Sequence, residues 1–259
     1  MGKNERIGVA SPSFVTTPIE KMFEVLSKDF TIWEITSEYK HHLPAIEKEI
    51  LRIAPSYDIK LQVHAPFSDI NIASLNDGIL QASLNSIEKV IESCRKVNIS
   101  MVTIHPGFYS PISFVDKDVA KRRNVQSLVK LGRFAKEHSV RLALENMPAI
   151  QWVILETAED LRNALETAEI GMCFDLGHAN TTKRTEELIK LKDKFVNVHV
   201  HDNFGEKDAH LPVGIGNANI SRTISELKGY RGNYILEIRD ISDALESKNA
   251  FEKILTNIK

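Results

Sequence analysis

Histidine, aspartate and glutamate recur along this chain at the ends of short apolar runs. Gln62-Val63-His64, Thr103-Ile104-His105, Ala143-Leu144-Glu145, Cys173-Phe174-Asp175, Val198-His199 and Ile235-Leu236-Glu237 each close on a side chain that binds cations or moves protons. Any one of these residues is unremarkable, because a lone acid or imidazole at a strand end more often caps a helix or pairs with arginine. The set is different. Several carboxylates brought together on a partly desolvated surface repel one another and are driven toward protonation unless a cation compensates them. The pattern therefore predicts a divalent-metal centre. Imidazole and carboxylate without thiolate suit zinc, manganese, cobalt or magnesium, and the ligand types do not choose among them.

Further candidates flank these ends. His178 follows Asp175 by three residues, and Asp208 and His210 precede Gly214-Ile215-Gly216. His199 and His201 are two apart, so both can face one side of a strand; only one need be a ligand, and His199 is preferred, leaving His201 to face substrate. Phe67, Phe108 and Trp152 lie just after strand ends, where they could line a pocket. Asn146 could bind substrate or orient Glu145. Arg239 could take a substrate phosphate or pair with Asp202 or Asp240. His41, His42 and His138 read as surface residues, and Lys121-Arg122-Arg123 as a solvated helix face.

What must position these groups is legible as a repeat of short apolar runs and longer amphipathic segments at intervals of roughly 30 residues, the signature of βα units. Strands are expected at Ile7 to Ala10, Thr31 to Ile35, Lys60 to His64, Met101 to His105, Arg141 to Glu145, Gly171 to Asp175, Asn197 to His201 and Tyr234 to Glu237. Helices are expected at Pro18 to Ser27, Leu43 to Ile53, Gly78 to Val97, Asp118 to His138, Thr157 to Leu165, Arg184 to Leu191, Ile220 to Leu227 and Asp243 to Ile258. Leu84, Ile87, Val90, Ile91 and Cys94 form an apolar stripe suited to packing outside a barrel. Thr157 and Asp160 resemble a capping box, and Pro18 suits a first helical turn. Eight such units predict a single-domain α/β protein spanning 1–259, a (β/α)₈ TIM barrel whose strand ends converge on one rim.

Composition narrows the partners. The 33 Lys and Arg against 35 Asp and Glu give a formal charge of −2, so no global positive field draws in nucleic acid. With 42% hydrophobic and 26% charged residues the chain suits a folded globular protein. Cys94 and Cys173 are far apart and form no CxxC pair, so neither disulfides nor thiolate zinc are expected. No apolar stretch reaches membrane-spanning length, and Met1 to Arg6 is polar, so a cytoplasmic protein without a membrane partner is expected. Gly2 is not read as a myristoylation site, because Arg6 stands where Ser or Thr is required.

At its motif residues the chain resembles the superfamily of xylose isomerase-like barrels, which includes sugar isomerases and epimerases and endonuclease IV-type abasic-site nucleases. The carriers are His64-Ala65-Pro66-Phe67 with Asn71-Ile72-Ala73-Ser74, His105-Pro106-Gly107, Leu144-Glu145-Asn146, Phe174-Asp175-Leu176-Gly177-His178, His199-Val200-His201-Asp202, Asp208-Ala209-His210 with Gly214 and Gly216, and Leu236-Glu237. Resemblance to the isomerases implies one metal held by Glu145, Asp175, His199 and Glu237, with the two glutamates as acid and base in proton transfer through an enediolate. Resemblance to the nucleases implies three zinc ions and the larger set His64, His105, Glu145, Asp175, His178, His199, Asp208, His210 and Glu237. The departures fall on the DNA-handling side: Thr36 to His42 lacks the nucleases' Gln-Arg aromatic run, and Phe67-Ser68 replaces their duplex wedge. Glu34 and Glu38 near the rim would also repel phosphates. A sugar or sugar phosphate is therefore the expected substrate, ahead of nucleic acid; one to three metal ions are expected, zinc or manganese first. Oligomeric state is not legible.

Overall fold

The computed structural model describes residues 4–258, so the expectations placed on Met1, Gly2 and Lys3 lie outside the described residues. Eight strands form a closed parallel barrel in sequence order, β1 pairing with both β2 and β8. They are β1 (Ile7–Ala10), β2 (Ile32–Thr36), β3 (Lys60–His64), β4 (Met101–Ile104), β5 (Arg141–Glu145), β6 (Gly171–Asp175), β7 (Phe195–Val200) and β8 (Asn233–Glu237). The helices are α1 (Ile19–Leu26), α2 (Leu43–Ile53), α3 (Asp77–Lys96), α4 (Lys117–Glu137), α5 (Ala158–Ala168), α6 (Leu176–Thr182), α7 (Thr185–Leu188), α8 (Ile220–Glu226) and α9 (Ile241–Ile258). Among the described residues, no helix is long and apolar enough to cross a membrane.

Alternation along the strands separates two populations of side chain. Outward-facing residues pack on the helices: the rings of Phe174 and Phe195 stack at 4.7 Å, and Trp33 meets Phe23 of α1 edge-on at 5.3 Å. Leu84, Ile87, Val90, Ile91 and Cys94 of α3 are buried in this outer core, as their spacing predicts. Inside the barrel, Ala10, Ile32 and Ile235 form a small separate apolar cluster. Above it lies a polar layer of Glu34, Gln62, Thr103 and Asn197, all buried. The register then sets the strand ends level, pairing Asp175 with His199, Ala10 with Glu237, and Thr36 with His64.

Several expectations need correction. Pro18 is the N-cap of α1, not its first residue. Thr157 caps α5 by accepting from the Asp160 amide at 3.1 Å, while the Asp160 carboxylate pairs with Lys121 instead of closing the box. Arg123 binds Asp77 and the Ser74 carbonyl, so of the basic triplet only Arg122 is exposed. The segment expected as one helix from Arg184 to Leu191 is the short α7 followed by a 3-10 turn, Ile189–Lys194. His41 is buried, with Nε2 2.8 Å from the Thr17 carbonyl and its ring edge-on to Trp33. His42 and His138 are half-buried.

Candidate metal centre

The carboxyl ends of β3 to β8 and the loops that follow them bring the acids and imidazoles read as metal ligands into one cluster. Glu145, fully buried, is its hub. Its Oε2 lies 3.1 Å from His64 Nε2 and 3.2 Å from His105 Nε2; its Oε1 lies 3.0 Å from His199 Nδ1 and 3.6 Å from His178 Nδ1. His199 Nδ1 is also approached by Glu237 Oε2 at 3.7 Å and Asp175 Oδ2 at 3.8 Å. Three carboxylates from three strands thus face one ring nitrogen.

A second group gathers beside the first. His178 Nε2 lies 3.3 Å from Asp208 Oδ2, and His210 Nε2 lies 2.9 Å from the same oxygen. His201 Nε2 is 3.2 Å from Asp175 Oδ1 and 3.4 Å from Asp208 Oδ1, and its ring stacks on that of His210 at 4.1 Å. His201 follows the end of β7 and is buried like His199, so it sits inside the cluster.

The helix α6 was not expected, and it is what carries His178 into place. Asp175 caps it, its Oδ1 accepting from the His178 amide at 2.6 Å. Leu176, Gly177, His178, Ala179 and Thr181 are all buried, so this short helix shows no one-sided apolar periodicity to read. Gly177 answers to packing: a Cβ there would fall 2.0 Å from Cε1 of His201.

Two of the imidazoles have one nitrogen hydrogen-bonded to a carbonyl, and a third has one beside a carboxylate. His64 Nδ1 lies 2.8 Å from the Ala65 carbonyl and His178 Nδ1 2.8 Å from the Asn146 carbonyl, oxygens that only accept. His199 Nε2 lies 2.9 Å from Glu34 Oε1. In the neutral ring the opposite nitrogen is then a bare lone pair, and in each case it faces a carboxylate oxygen. Lone pair against lone pair is tolerated only with a proton or a metal ion between. Buried atoms without a hydrogen-bond partner concentrate here too: Asp175 Oδ2, His201 Nε2, Asp208 Oδ1, His210 Nδ1 and His105 Nδ1. Four overlapping groups have ligand atoms close enough to hold one ion: His64, His105, Glu145; Glu145, Cys173, His199; Glu145, Asp175, His178, Glu237; and His178, His201, His210, Glu237. The donor set fits a divalent cation.

Without a cation the groups neutralise one another. Burial pushes the Glu145 carboxyl up, but His199, His105 and His64 outweigh it and hold it well below the usual carboxylate range. Burial likewise opposes charge on His178, yet Asp175, Asp208 and Glu145 raise it well above the usual imidazole value. His199 is raised in the same way, burial being outweighed by Cys173, Glu34, Glu145 and Glu237. Glu237 departs upward: burial leads, repulsion from Glu145 and Asp175 adds, and His199 and His210 oppose. The two glutamates are therefore shifted in opposite directions.

The remaining candidates divide. The Phe67 ring lies 5.2 Å from that of His64 and 5.1 Å from that of His105, at the edge of the cluster. The Asn146 side chain donates to the Asp175 carbonyl and accepts from the Asp175 amide, both at 2.9 Å, so it fixes the Asp175 main chain. Arg239 pairs with neither Asp202 nor Asp240; it donates to the carbonyls of Ala209 and Asp208 at 2.9 and 3.1 Å, bracing the loop that carries His210. Phe108 and Trp152 belong to two rim loops joined where the Tyr109 amide donates to the Trp152 carbonyl at 2.8 Å. Glu38 does not stand free to repel phosphate, because its Oε1 accepts from the amides of Phe67 and Ser68 at 2.8 Å each. Nor does Glu34, which lies buried beneath the cluster inside the barrel.

A closed eight-stranded barrel with a histidine and carboxylate centre at its carboxyl rim defines a class of α/β barrel. The chain belongs to the xylose isomerase-like TIM barrel family, whose model matches residues 23–256. An uncharacterised protein of Methanocaldococcus jannaschii is 32% identical over 96% of this chain and 89% of its own length. A solved structure of a D-tagatose 3-epimerase-like protein is 31% identical, with a TM-score of 0.88 over 98% of each chain. A probable endonuclease 4 of Thermoplasma volcanium is 26% identical over 78% of this chain and 69% of its own.

Proposed function

We propose that the protein is a divalent-metal-dependent isomerase or epimerase of sugars or sugar phosphates. The observation that carries this reading is the approach of Glu145, Asp175 and Glu237 to one nitrogen of His199. The similarity to a D-tagatose 3-epimerase-like protein supports it. Glu145, Asp175, His199 and Glu237 would hold the ion, with His64, His105, His178, Asp208 and His210 available to bind further ions. When bound, the cation supplies Lewis acidity, making the C–H beside a sugar carbonyl more acidic and stabilising the negative charge left on oxygen.

The chain's own groups move the proton. One of the two glutamates, Glu145 or Glu237, takes the proton from carbon onto a carboxylate oxygen, and the electron pair left behind delocalises into an enediolate. The other returns a proton to the planar carbon, and the two exchange roles in the reverse direction. Phe67 shields the edge of the site and offers an apolar surface to the sugar. Glu145→Gln and Glu237→Gln are each expected to abolish solvent-deuterium incorporation into a ketose while the fold is retained. Undiminished incorporation in either variant would refute the two-glutamate assignment.

One observation favours a second reading. His64, His105, His178, Asp208 and His210 give the rim more ligand-type groups than proton transfer at one carbon uses. A multinuclear centre suits phosphodiester hydrolysis, where one ion activates water and another stabilises the leaving oxygen. Incubation with zinc and a duplex carrying one abasic analogue decides it: incision supports this reading, and intact duplex under every divalent metal removes it.

A further inference from the structure

We infer that Glu34 is a positioning residue for the metal centre: it fixes His199 as the Nε2–H tautomer, so that Nδ1 presents its lone pair to Glu145, Asp175 and Glu237. The carboxylate lies on β2, inside the barrel and one layer below the cluster, and it is fully buried. Burying an acid there is expensive and needs full compensation. One oxygen has it. Oε2 accepts from Gln62 Nε2, from Asn197 Nδ2 at 3.0 Å and from Thr103 Oγ1 at 3.3 Å. Gln62 is itself fixed, donating also to Asn197 Oδ1 at 3.1 Å and accepting from Asn233 Nδ2 at 2.9 Å.

The other oxygen, Oε1, has no well-aligned hydrogen bond, and His199 Nε2 lies 2.9 Å from it. The competing partner for Nε2 is Asn197 Nδ2 at 3.2 Å. Its two hydrogens are taken by nearer acceptors, Glu34 Oε2 at 3.0 Å and Thr103 Oγ1 at 3.1 Å. Nε2 therefore has no donor to receive from and one unmet anionic oxygen to give to. A small turn of the ring satisfies both. The proton belongs on Nε2, and the ring's other nitrogen is left bare toward the carboxylates, an arrangement that aligns a metal-binding imidazole and raises its basicity.

The substitution Glu34→Gln separates this role from simple packing. The donors on Gln62, Asn197 and Thr103 require an oxygen at the Oε2 position, so the new amide must turn its NH₂ toward His199 Nε2. That forces Nε2 to accept and moves the ring proton to Nδ1, where it blocks the ion. The inference rests on the metal centre of the proposed function but on no particular substrate, so binding tests it without turnover. Zn²⁺ and Mn²⁺ titrations of the full chain are expected to show affinity lowered about tenfold to a hundredfold in Glu34→Gln. Nitrogen-15 histidine spectra of the metal-free protein, taken at a pH high enough that the His199 ring has lost its second proton and with its signal assigned by its loss in His199→Asn, are expected to show Nε2–H in wild type and Nδ1–H in Glu34→Gln. Unchanged affinity with unchanged tautomer overturns the inference while leaving the metal centre standing. Absence of metal binding in the wild type overturns both. Should Glu34→Gln fail to fold, the wild-type spectrum alone decides, since an Nδ1–H tautomer there refutes the role.

Discussion

Replacing Gly177 with alanine tests the packing that holds the centre together, and the sign of the effect is diagnostic. Gly177 is within α6, at no positive φ, so on backbone grounds alanine should stabilise the protein by about 0.5–1 kcal/mol. The structure predicts the reverse. The added Cβ would lie 2.0, 2.3 and 2.4 Å from Cε1, Nε2 and Nδ1 of His201. To recover an ordinary contact of ~3.5 Å the ring must retreat by about 1.5 Å. It has little room, being stacked on His210 at 4.1 Å with Nε2 3.2 Å from Asp175 Oδ1. Overpacking of a filled interior costs roughly 1–3 kcal/mol. An overlap this deep belongs at the top of that range, leaving a net loss of about 2 kcal/mol and a fall of roughly 4–8 °C in thermal midpoint. Calorimetry of wild type, Gly177→Ala, His201→Ala and the double variant forms a complete cycle. In the His201→Ala background the added methyl should be neutral or stabilising. A single Gly177→Ala variant as stable as wild type would show that the His201 ring does not occupy this place.

The remaining predictions concern charge and capping. His64, His178, His199 and His210 are raised in the folded, metal-free protein by their carboxylate neighbours, against the opposing effect of burial. Their stabilisation is fully present below about pH 6.5 and is lost as pH rises through their folded values. Glu145, Asp175 and Asp208 are lowered, so their contribution is present above about pH 4 and is lost as pH falls through the depressed values. Melting in a chelator should therefore be highest between about pH 4.5 and 6.5, whereas added zinc should reverse the decline at higher pH by replacing the protons. A midpoint in chelator that climbs steadily from pH 6.5 to 8.5 would contradict this. Thr157→Ala removes a cap that accepts from the Asp160 amide and should cost about 1 kcal/mol in denaturant unfolding, without altering metal affinity. A change in affinity would mean that α5 is coupled to the rim.

How much of this was readable beforehand follows from where each residue faces. The strands were legible because both sides of a barrel strand are buried, so runs such as Leu142-Ala143-Leu144 stand out from amphipathic helices. The long helices α3 and α4 were legible because they bury one stripe. The helix α6 escaped notice because it is buried on nearly every side and carries Gly177 and the β-branched Thr181 and Thr182. The acids and imidazoles at strand ends were legible from type and position, since a parallel barrel delivers all such ends to one rim. Glu34 was misplaced for the converse reason. A charge in mid-strand reads as solvent-facing, and only the partners arriving from β3, β4 and β7 make an interior carboxylate tolerable. For Arg239 and Asn146 the alternatives stay open in the sequence, because nothing there reveals the backbone carbonyls and amides that they bind. His41 was misread likewise, its burial depending on the Thr17 carbonyl and the face of Trp33.

The central claim, that these imidazoles and carboxylates share a cation, is tested most directly by metal analysis of the purified chain paired with melting before and after chelation. The account predicts at least one divalent ion per chain, about one for the four-residue centre and about three if the outer imidazoles are also filled. It predicts stabilisation of about 2.7 kcal/mol when free metal stands at a hundred times the dissociation constant. A chain that carries no divalent ion, and melts at the same temperature with chelator as with excess zinc or manganese, would contradict it.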